Sequence, residues 1–213
     1  MRLTWWGHSC FLLETAAGTR LLTDPFDPGT GYALSGVDAD VVTISHDHHD
    51  HNHLAAVNGA PEVIRDPGAH EAFGIRITGF PSWHDGEQGR LRGQNLLYLM
   101  EADGVRVLHL GDLGHRLPRE TVDAIGPVDA VLCPIGGKFT VDAAGAWQVI
   151  NDLAPRVAVP MHYHTPDLKF LIADETPFIQ QAGEWTVRRI TDRPVELQKD
   201  ALPEKAVWVL NYR

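Results

Sequence analysis

The sequence predicts an α/β protein in which two similar halves pack sheet against sheet. Three observations predict this class. Apolar or alternating runs of strand length recur along the 213 residues and are separated by Gly, Pro and Asp turns or by short amphipathic segments. The strand pattern of the first half returns in the second half. No linker or low-complexity stretch divides the chain, so we expect one domain over residues 1 to 213.

Strands are predicted where several consecutive residues are apolar, or where apolar and polar residues alternate. The predicted strands are residues 2 to 6, 9 to 14, 19 to 23, 40 to 45, 74 to 82, 96 to 101, 105 to 110, 129 to 134, 156 to 161, 185 to 190 and 205 to 210. Helices are expected between many of them. They are clearest over 118 to 125, which Pro118 opens, and over 142 to 153, where apolar residues recur at helical spacing.

An internal repeat relates the segment near Cys10 to the segment near Leu97. Each copy predicts a hairpin, an aspartate after its second strand, and a buried strand that leads into a loop. The aspartates are Asp24 and Asp112, and the two loops begin near His46 and Gly136. Loops from both halves should therefore meet at one edge, where a ligand would bind. Chance similarity between two hairpins is the alternative, because turn residues recur widely.

The composition, with 44% apolar and 22% charged residues, is that of an ordinary globular protein. A formal net charge of -10 argues against a nucleic-acid partner, because phosphate backbones are bound chiefly through clustered Lys and Arg. The sequence contains no signal-peptide pattern and no apolar window of membrane-span length, so we expect a cytoplasmic location and no membrane partner. Cys10 and Cys133 lie in apolar runs and are expected to be buried without a disulfide.

Four potential metal ligands stand within six positions directly after an apolar run: His46, His48, Asp50 and His51. Side chains two positions apart share a face only in extended chain, so His46 and His48 can bind one ion just past a strand end. Asp50 and His51 must point in different directions, which favours a second ion beside the first. A purification tag or a merely sticky histidine tract is the alternative. This tract, however, is internal, is broken by aspartates and follows a predicted strand.

A two-metal centre needs about three ligands per ion and a bridging ligand, so distant segments must contribute. Three candidates follow predicted strands, namely His84, Asp112 and His162. Taken alone, either histidine is more simply explained as a structural residue. Because side chains alternate between the two faces of a strand, His109 should point to the face opposite that of the residue beside Asp112, and it is expected to be structural. The remaining histidines are expected to be surface or structural residues: His53, His70 and His115.

The ordered set His46-x-His48-x-Asp50-His51, His84, Gly111-Asp112 and His162 resembles the metallo-β-lactamase-fold hydrolase superfamily across nearly the whole chain. Shorter segments are similar to its small single-domain branch, which includes ascorbate-6-phosphate-lactonase-like proteins and many other metal-dependent hydrolases. These segments are Gly7-His8-Ser9-Cys10-Phe11, Asp24-Pro25-Phe26, 109 to 114, 134 to 140 and Pro160-Met161-His162-Tyr163. The resemblance implies a four-layer αβ/βα sandwich, the metallo-β-lactamase fold.

The resemblance also implies a ligand set, with a first metal held by His46, His48 and His84 and a second held by Asp50, His51 and His162. Asp112 would bridge the two ions. The expected cofactor is a pair of divalent metal ions, with zinc as the default and manganese, iron or nickel also suited to these ligands. A metal-bridged hydroxide would cleave an ester, lactone or phosphoester bond of a small metabolite, with Asp50 and Asp112 as the catalytic carboxylates.

Other polar residues are expected to support the ligands or the substrate. His8 and Asp24 should lie behind the ligands, where Asp24 could accept a hydrogen bond from the outer nitrogen of a ligating histidine. Lys138, Tyr163 and His164 should lie beside the metals and bind an anionic substrate, with ordinary loop polarity as the alternative. Two further residues alternate with the ligands and should face away: Asp47 and His49. The loop 85 to 93 either closes over the substrate or crosses the surface.

Three other functions stay open for the same residues: an iron-dependent oxidoreductase or dioxygenase of this fold, a nuclease, and a metal-binding protein without catalysis. Redox chemistry is disfavoured because His48 stands where the resembling diiron proteins have a glutamate, and because the sequence shows no flavin-binding segment. A nuclease is disfavoured because the chain lacks a strong basic patch and the added domain of such enzymes.

Overall fold

Two β-sheets packed face to face form the centre of the molecule, whose computed structural model describes residues 1 to 212. The strands are β1 (Arg2–Gly7), β2 (Cys10–Glu14), β3 (Arg20–Thr23), β4 (Val37–Asp38), β5 (Val41–Thr43), β6 (Val57–Asn58), β7 (Glu62–Ile64), β8 (Gly68–Ala72), β9 (Ile75–Trp83), β10 (Gln94–Ala102), β11 (Val105–His109), β12 (Ala130–Pro134), β13 (Val157–Met161), β14 (Thr186–Ile190), β15 (Val195–Glu196) and β16 (Ala206–Leu210). The α-helices are α1 (Arg119–Ile125), α2 (Ala143–Leu153) and α3 (Thr176–Gln180).

The two sheets repeat one strand order. The first sheet runs β15-β1-β2-β3-β5-β7, and the second runs β14-β16-β13-β12-β11-β10-β9-β8. In the first, β1, β2 and β3 are antiparallel neighbours, after which β5 and β7 add in parallel. In the second, β9, β10 and β11 are antiparallel and β12 and β13 add in parallel. The predicted internal repeat is therefore confirmed by the topology.

The space between the sheets is filled by large apolar side chains. Trp5, Phe11 and Leu21 from the first sheet, and Ile77 and Leu99 from the second, belong to one buried cluster. Burying a side chain of this size contributes about 1.5 to 3 kcal/mol, so the cluster dominates the stability of the fold. The two cysteines are buried and free, as predicted.

A hydrogen-bonded tyrosine also joins the two sheets. The buried hydroxyl of Tyr98, on β10, lies 3.2 Å from the carbonyl oxygen of Ile44 and 3.3 Å from that of Ile64, to either of which it can donate. Because Ile44 leads directly into the histidine tract, this contact fixes the start of that tract relative to the second sheet.

The outer faces of the two sheets are covered differently. All three α-helices follow β11, and buried residues of α2 pack on the second sheet. Over the first sheet, Phe26, Tyr32 and Leu34 pack on Leu22 and Val42 from connecting segments that contain only short 3-10 helices. The expected helices are thus absent from the first half of the described chain. The segment 24 to 40 is rich in Pro and Gly, which destabilise helices.

The predicted strands are all present, within a few residues of their predicted bounds. Five further strands and the short helix α3 were not predicted: β4, β6, β7, β8 and β15. In the described part of the chain no helix has the length and apolar character of a membrane span, since even α2 has only 11 residues.

Candidate metal centre

The predicted ligands meet at one edge of the two sheets because each follows a strand that ends there. The tract that begins at His46 follows β5, and Asp112 follows β11. His84 comes directly after β9, and His162 comes directly after β13. Since β9, β11 and β13 run in the same direction, their carboxyl ends deliver these three side chains to the same side of the molecule.

The structure divides the ligands into sets, in each of which the ligand atoms lie within 4.8 Å of one another. The first set is His46, His48 and His84, and the second is His8, Asp50, His51 and His162. A third set, His46, His51 and Asp112, connects the first two. The grouping corresponds to the ligands that the resemblance implies for two ions, with His8 in addition.

The carboxylate of Asp112 lies between the histidines of both sets. Its Oδ2 is 3.2 Å from Nε2 of His84 and 3.2 Å from Nε2 of His162. Its Oδ1 is 3.3 Å from Nε2 of His51. Asp112 is only 2% exposed, so three imidazoles converge on one buried carboxylate. This is the arrangement that a bridging ligand requires.

Several buried ligand atoms lack a hydrogen-bond partner in the described chain: Nε2 of His46 has none, and Nε2 of His51 and Oδ1 of Asp112 meet each other at 3.3 Å outside hydrogen-bond geometry. Leaving a buried polar atom unsatisfied costs about 1 to 3 kcal/mol, and native proteins rarely do so without a reason. A cation among these atoms would accept all of their lone pairs. The donor set of imidazoles and carboxylates suits a divalent transition metal, so these residues fit a metal centre.

The electrostatics of the first set favour neutral histidines. Burial lowers the pKa of His46 well below its ordinary value, and the nearby His51 lowers it further. Burial and His84 also lower the pKa of His48, which is the exposed member of the set. Both rings are therefore neutral near pH 7, and the neutral imidazole is the form that binds metals.

The second set is held by opposite charges. Burial alone would lower the pKa of His51, but Asp112 and Asp24 on its two sides raise it well above the ordinary value. Burial alone would raise the pKa of Asp112, but His162 and His51 hold it well below its usual range. The Nδ1 proton of His51 is shared with Asp24, and a metal ion bound by His51 would replace the proton on Nε2. Metal binding should therefore release protons.

Asp24 orients two ligands through its two carboxylate oxygens. Oδ2 accepts a hydrogen bond from Nδ1 of His51 at 2.8 Å and from the hydroxyl of Ser45 at 2.6 Å. Oδ1 accepts from the backbone N–H of Ser45 at 2.8 Å. The Ser45 hydroxyl is also 2.9 Å from Nδ1 of His46. Asp24 thus directs Nε2 of His51 into the centre and, through Ser45, positions His46.

His8 lies inside the second set. Its Nε2 is 3.1 Å from Oδ2 of Asp50, and its ring centroid is 4.3 Å from that of His162. Burial and His162 lower the pKa of His8 to about 4. The ring is therefore neutral at pH 7, when its single N–H can donate to Asp50 and hold that carboxylate in place.

The backbone before Asp112 is fixed by Asn95. The amide oxygen of Asn95 accepts from the backbone N–H of Asp112 at 2.9 Å, and its amide nitrogen donates to the carbonyl of Leu110 at 3.0 Å. Between them Gly111 has a φ of +52°, and a Cβ there would lie 2.3 Å from the Asn95 oxygen. Only glycine fits this turn, which explains the Gly-Asp pair.

Three other site residues hold a left-handed backbone without being glycine: His8, Asp24 and His162, with φ values of 51°, 40° and 49°. Such conformations cost of order 1 kcal/mol or more each, and they persist where the surrounding structure requires them. They let each chain segment turn sharply after a strand, so that the side chain faces the centre.

Sequence reasoning missed Ser45 and Asn95. A usable signal for Asn95 was the internal repeat, because the alignment that matches Cys10 with Leu97 also matches His8 with Asn95. His8 stands two residues before β2 and Asn95 is the second residue of β10, and both reach the same centre. Ser45 is adjacent to His46, and only the strand register shows that it contacts Asp24.

The residues expected to face away do so. The Asp47 carboxylate accepts from Asn52, and Nδ1 of His49 lies 3.1 Å from the Asp27 carboxylate on the surface. His109 is fully buried, with Nε2 2.8 Å from the carbonyl of Ser9, and it joins the two halves of the fold.

None of the three residues proposed for substrate binding belongs to the ligand sets. Lys138 is exposed, with its Nζ 3.4 Å from the carbonyl of Leu171. Tyr163 is buried against Trp5, at 5.3 Å between ring centroids, and burial raises the pKa of its hydroxyl. His164 is exposed on the surface. The structure brings neither Tyr163 nor His164 into the ligand sets.

The loop 85 to 93 is ordered by its first residue. The buried carboxylate of Asp85 accepts four backbone N–H groups, from Glu87, Gly89, Leu91 and Arg92, at 2.7 to 3.0 Å. Arg92 then donates to the carbonyl of Lys138 and stacks on Phe139, with Cζ 4.9 Å from the ring centroid. The loop therefore spans from His84 to the loop after β12.

Comparisons with known proteins show the family of the chain. A family model described as a beta-lactamase superfamily domain matches residues 2–162, a span that contains all the predicted ligands. The chain is similar to a UPF0173 metal-dependent hydrolase of Archaeoglobus fulgidus, at 31% identity over 196 residues, covering 78% of this chain and 84% of the relative. A Thermoplasma acidophilum protein, also called a UPF0173 metal-dependent hydrolase, is 27% identical over 226 residues, covering 92% of this chain and 99% of the relative.

A crystal structure from Thermotoga maritima is also similar, with a TM-score of 0.79 and 36% identity over 99% of both chains. That protein is described as a candidate zinc-dependent hydrolase of the metallo-beta-lactamase superfamily.

Proposed function

Because the chain belongs to the beta-lactamase superfamily and, within it, to the UPF0173 metal-dependent hydrolases, we propose that it holds two metal ions and cleaves an ester, lactone or phosphoester bond of a small metabolite. The metallo-β-lactamase fold, an α/β sandwich of two similar halves, is confirmed by the topology and by the similar crystal structure. The two ions and the bond class are our proposal.

The position of Asp112 carries the proposal of two ions. Its carboxylate oxygens lie 3.2 to 3.3 Å from histidines that belong to different sets. One ion in the first set and one in the second would both be within reach of this carboxylate. A single ion would leave one set of buried ligand atoms unsatisfied.

When bound, two divalent ions would lower the pKa of a shared water towards neutrality and polarise the attacked carbonyl or phosphoryl oxygen. The chain's own residues set up that chemistry. Asp112 holds the two sets in register, Asp24 and Ser45 orient His51 and His46, and His8 holds Asp50. The exposed ring of His48 marks the side on which the centre is open to solvent.

Zinc is the metal we propose first. Its ordinary ligands in hydrolases are histidine and carboxylate, and the similar Thermotoga maritima protein is described with zinc. The diiron alternative is disfavoured because His48 stands where the resembling diiron proteins have a glutamate, so that all three members of the first set are histidines.

A hydrolysis screen on one protein sample tests the proposal. The sample is chelated, reconstituted with zinc, manganese or iron, and assayed on lactones, carboxylic esters, thioesters and phosphodiesters. We expect the reconstituted protein to hydrolyse at least one of these classes. The chelated protein should hydrolyse none of them. Full activity in chelated protein would refute the proposal, as would inactivity of every reconstituted sample on all four classes.

A further inference from the structure

A cavity of about 620 Å³ adjoins the first ligand set. Two of the proposed ligands, His46 and His48, form part of its wall. The rest of the wall comes from the neighbours of these histidines in the segment 44 to 48, from the segments 65 to 67 and 92 to 93, from the end of β9 and from the start of β10. The volume lies within the range of about 300 to 1,000 Å³ that is typical of small-molecule sites. A substrate bound at the centre could therefore place one of its substituents here.

The lining of this cavity is largely apolar. Pro67, Pro81, Trp83 and Leu96 face it, together with Ile44 at its base. Trp83 and Leu96 are only half-buried, so part of their apolar surface is unoccupied by the protein. Covering such surface with an apolar group is favourable by about 25 cal/mol per Å².

The charges around the cavity balance. Arg65 and Arg92 line it, but so do Asp47 and Asp66. Arg92 also donates to the carbonyl of Lys138 and stacks on Phe139, and the two carboxylates offset the charges of the two guanidinium groups. Without a cluster of free cations the cavity does not favour a phosphate, and shape and apolar contact determine what binds.

We infer that this cavity binds an apolar or aromatic substituent of the substrate. The substrate class is then an ester or lactone that carries an alkyl or aryl group, rather than a sugar phosphate. The inference rests on the proposed function, because the cavity matters to the reaction only if the adjoining centre hydrolyses the bond. It places that substituent on the side of the centre where His46 and His48 line the cavity, a lining that does not include Lys138, Tyr163 or His164.

A substitution that fills the cavity tests the inference. Gln94 is exposed, lines the cavity and is paired with Trp83 across β9 and β10, so the indole in Gln94→Trp would lie beside Trp83. Leu96→Trp is a second filling variant, next to Pro81. The matched control is Gln198→Trp, at an exposed position outside the cavity.

Binding is measured first, without metal, by equilibrium dialysis of the neutral aromatic probe 2-naphthol against the chelated full-length protein. We expect both filling variants to weaken binding at least tenfold and the control to leave it unchanged. Unchanged binding in a folded filling variant would overturn the inference, as would a failure of the wild-type protein to bind the probe.

Hydrolysis is measured second, on metal-loaded protein with 2-naphthyl acetate and with methyl acetate. The filling variants should lower kcat/KM at least tenfold for the naphthyl ester and less than threefold for the methyl ester, and an equal loss for both esters would count against the inference. If the probe binds as expected but neither these esters nor any class of the hydrolysis screen is hydrolysed, the proposed function fails while the apolar binding site stands.

Discussion

At the scale of single residues, the hydrogen bonds behind the ligands determine where the ligand nitrogens face. Asp24 is fully buried and accepts from Nδ1 of His51, so Nε2 of that ring is the atom that faces the centre. Burial would raise the pKa of Asp24, but His51 holds it below its ordinary value. The carboxylate is therefore charged and makes the ring a stronger metal ligand.

Asp24→Asn should weaken zinc binding by about 10- to 100-fold, the usual effect of removing a carboxylate behind a ligating histidine. The amide cannot supply the negative charge, and its NH₂ group would face N–H or O–H donors. A competition titration with a chromophoric chelator measures the change. Asp123→Asn, on the exposed face of α1, is the control and should bind zinc like the wild type. Equal affinity in both variants would contradict the role of Asp24.

The sequence could predict which side chains come together at the centre, but mostly not the residues that orient them. His46, His48, Asp50 and His51 are close together in the chain, so their spacing alone indicated a metal site. Asn95, in contrast, reaches Asp112 only because β10 lies beside β11, and its role depends on strand register. Register is set by tertiary packing and turn geometry, which a local pattern does not specify.

At the scale of elements, the loop 85 to 93 depends on one carboxylate. Burial would raise the pKa of Asp85, but the four backbone N–H groups that it accepts hold the pKa below its ordinary value. A group with a lowered folded-state pKa stabilises the fold above its unfolded pKa of about 3.9, and that contribution is lost as pH falls through the folded-state pKa.

The difference in unfolding free energy between wild type and Asp85→Asn should therefore be constant from about pH 5 to pH 7 and shrink below about pH 4. Urea unfolding of the chelated proteins across this range measures it, and chelation removes any contribution from metal loss. A difference that does not change with pH would show that the Asp85 charge is not what orders the loop.

Long strands were predicted well because the alternation of apolar and polar residues repeats several times along them. β9 and β10, with nine residues each, are examples. β8 was missed because Gly68, His70 and Glu71 give it little apolar character, and its pairing with β9 at the sheet edge is what makes it a strand. α3 has only five residues, too few for a helical period to be visible.

At the scale of the whole molecule, the proposed ions connect the two sheets. His46 and His51 follow β5 of the first sheet, whereas His84, Asp112 and His162 follow strands of the second. The proposed ions would thus join the two halves in addition to the core. Binding to the folded state alone stabilises it by mass action.

Zinc at about 1,000 times its Kd should add roughly 4 kcal/mol per site to the free energy of unfolding. For a chain of this size that corresponds to an increase in Tm on the order of 10 °C. Thermal unfolding with zinc and with excess chelator measures the difference. Equal Tm values under the two conditions would contradict a centre built from both sheets.

The dinuclear centre is tested most directly by the number of metal ions per chain in wild type and in Asp112→Asn. The number is measured by elemental analysis after reconstitution with zinc and removal of loosely bound ions. The two proposed ions share the Asp112 carboxylate, so the wild type should hold close to two ions per chain and the variant no more than one. One ion or fewer in the folded wild type, or two in the variant, would contradict a dinuclear centre bridged by Asp112.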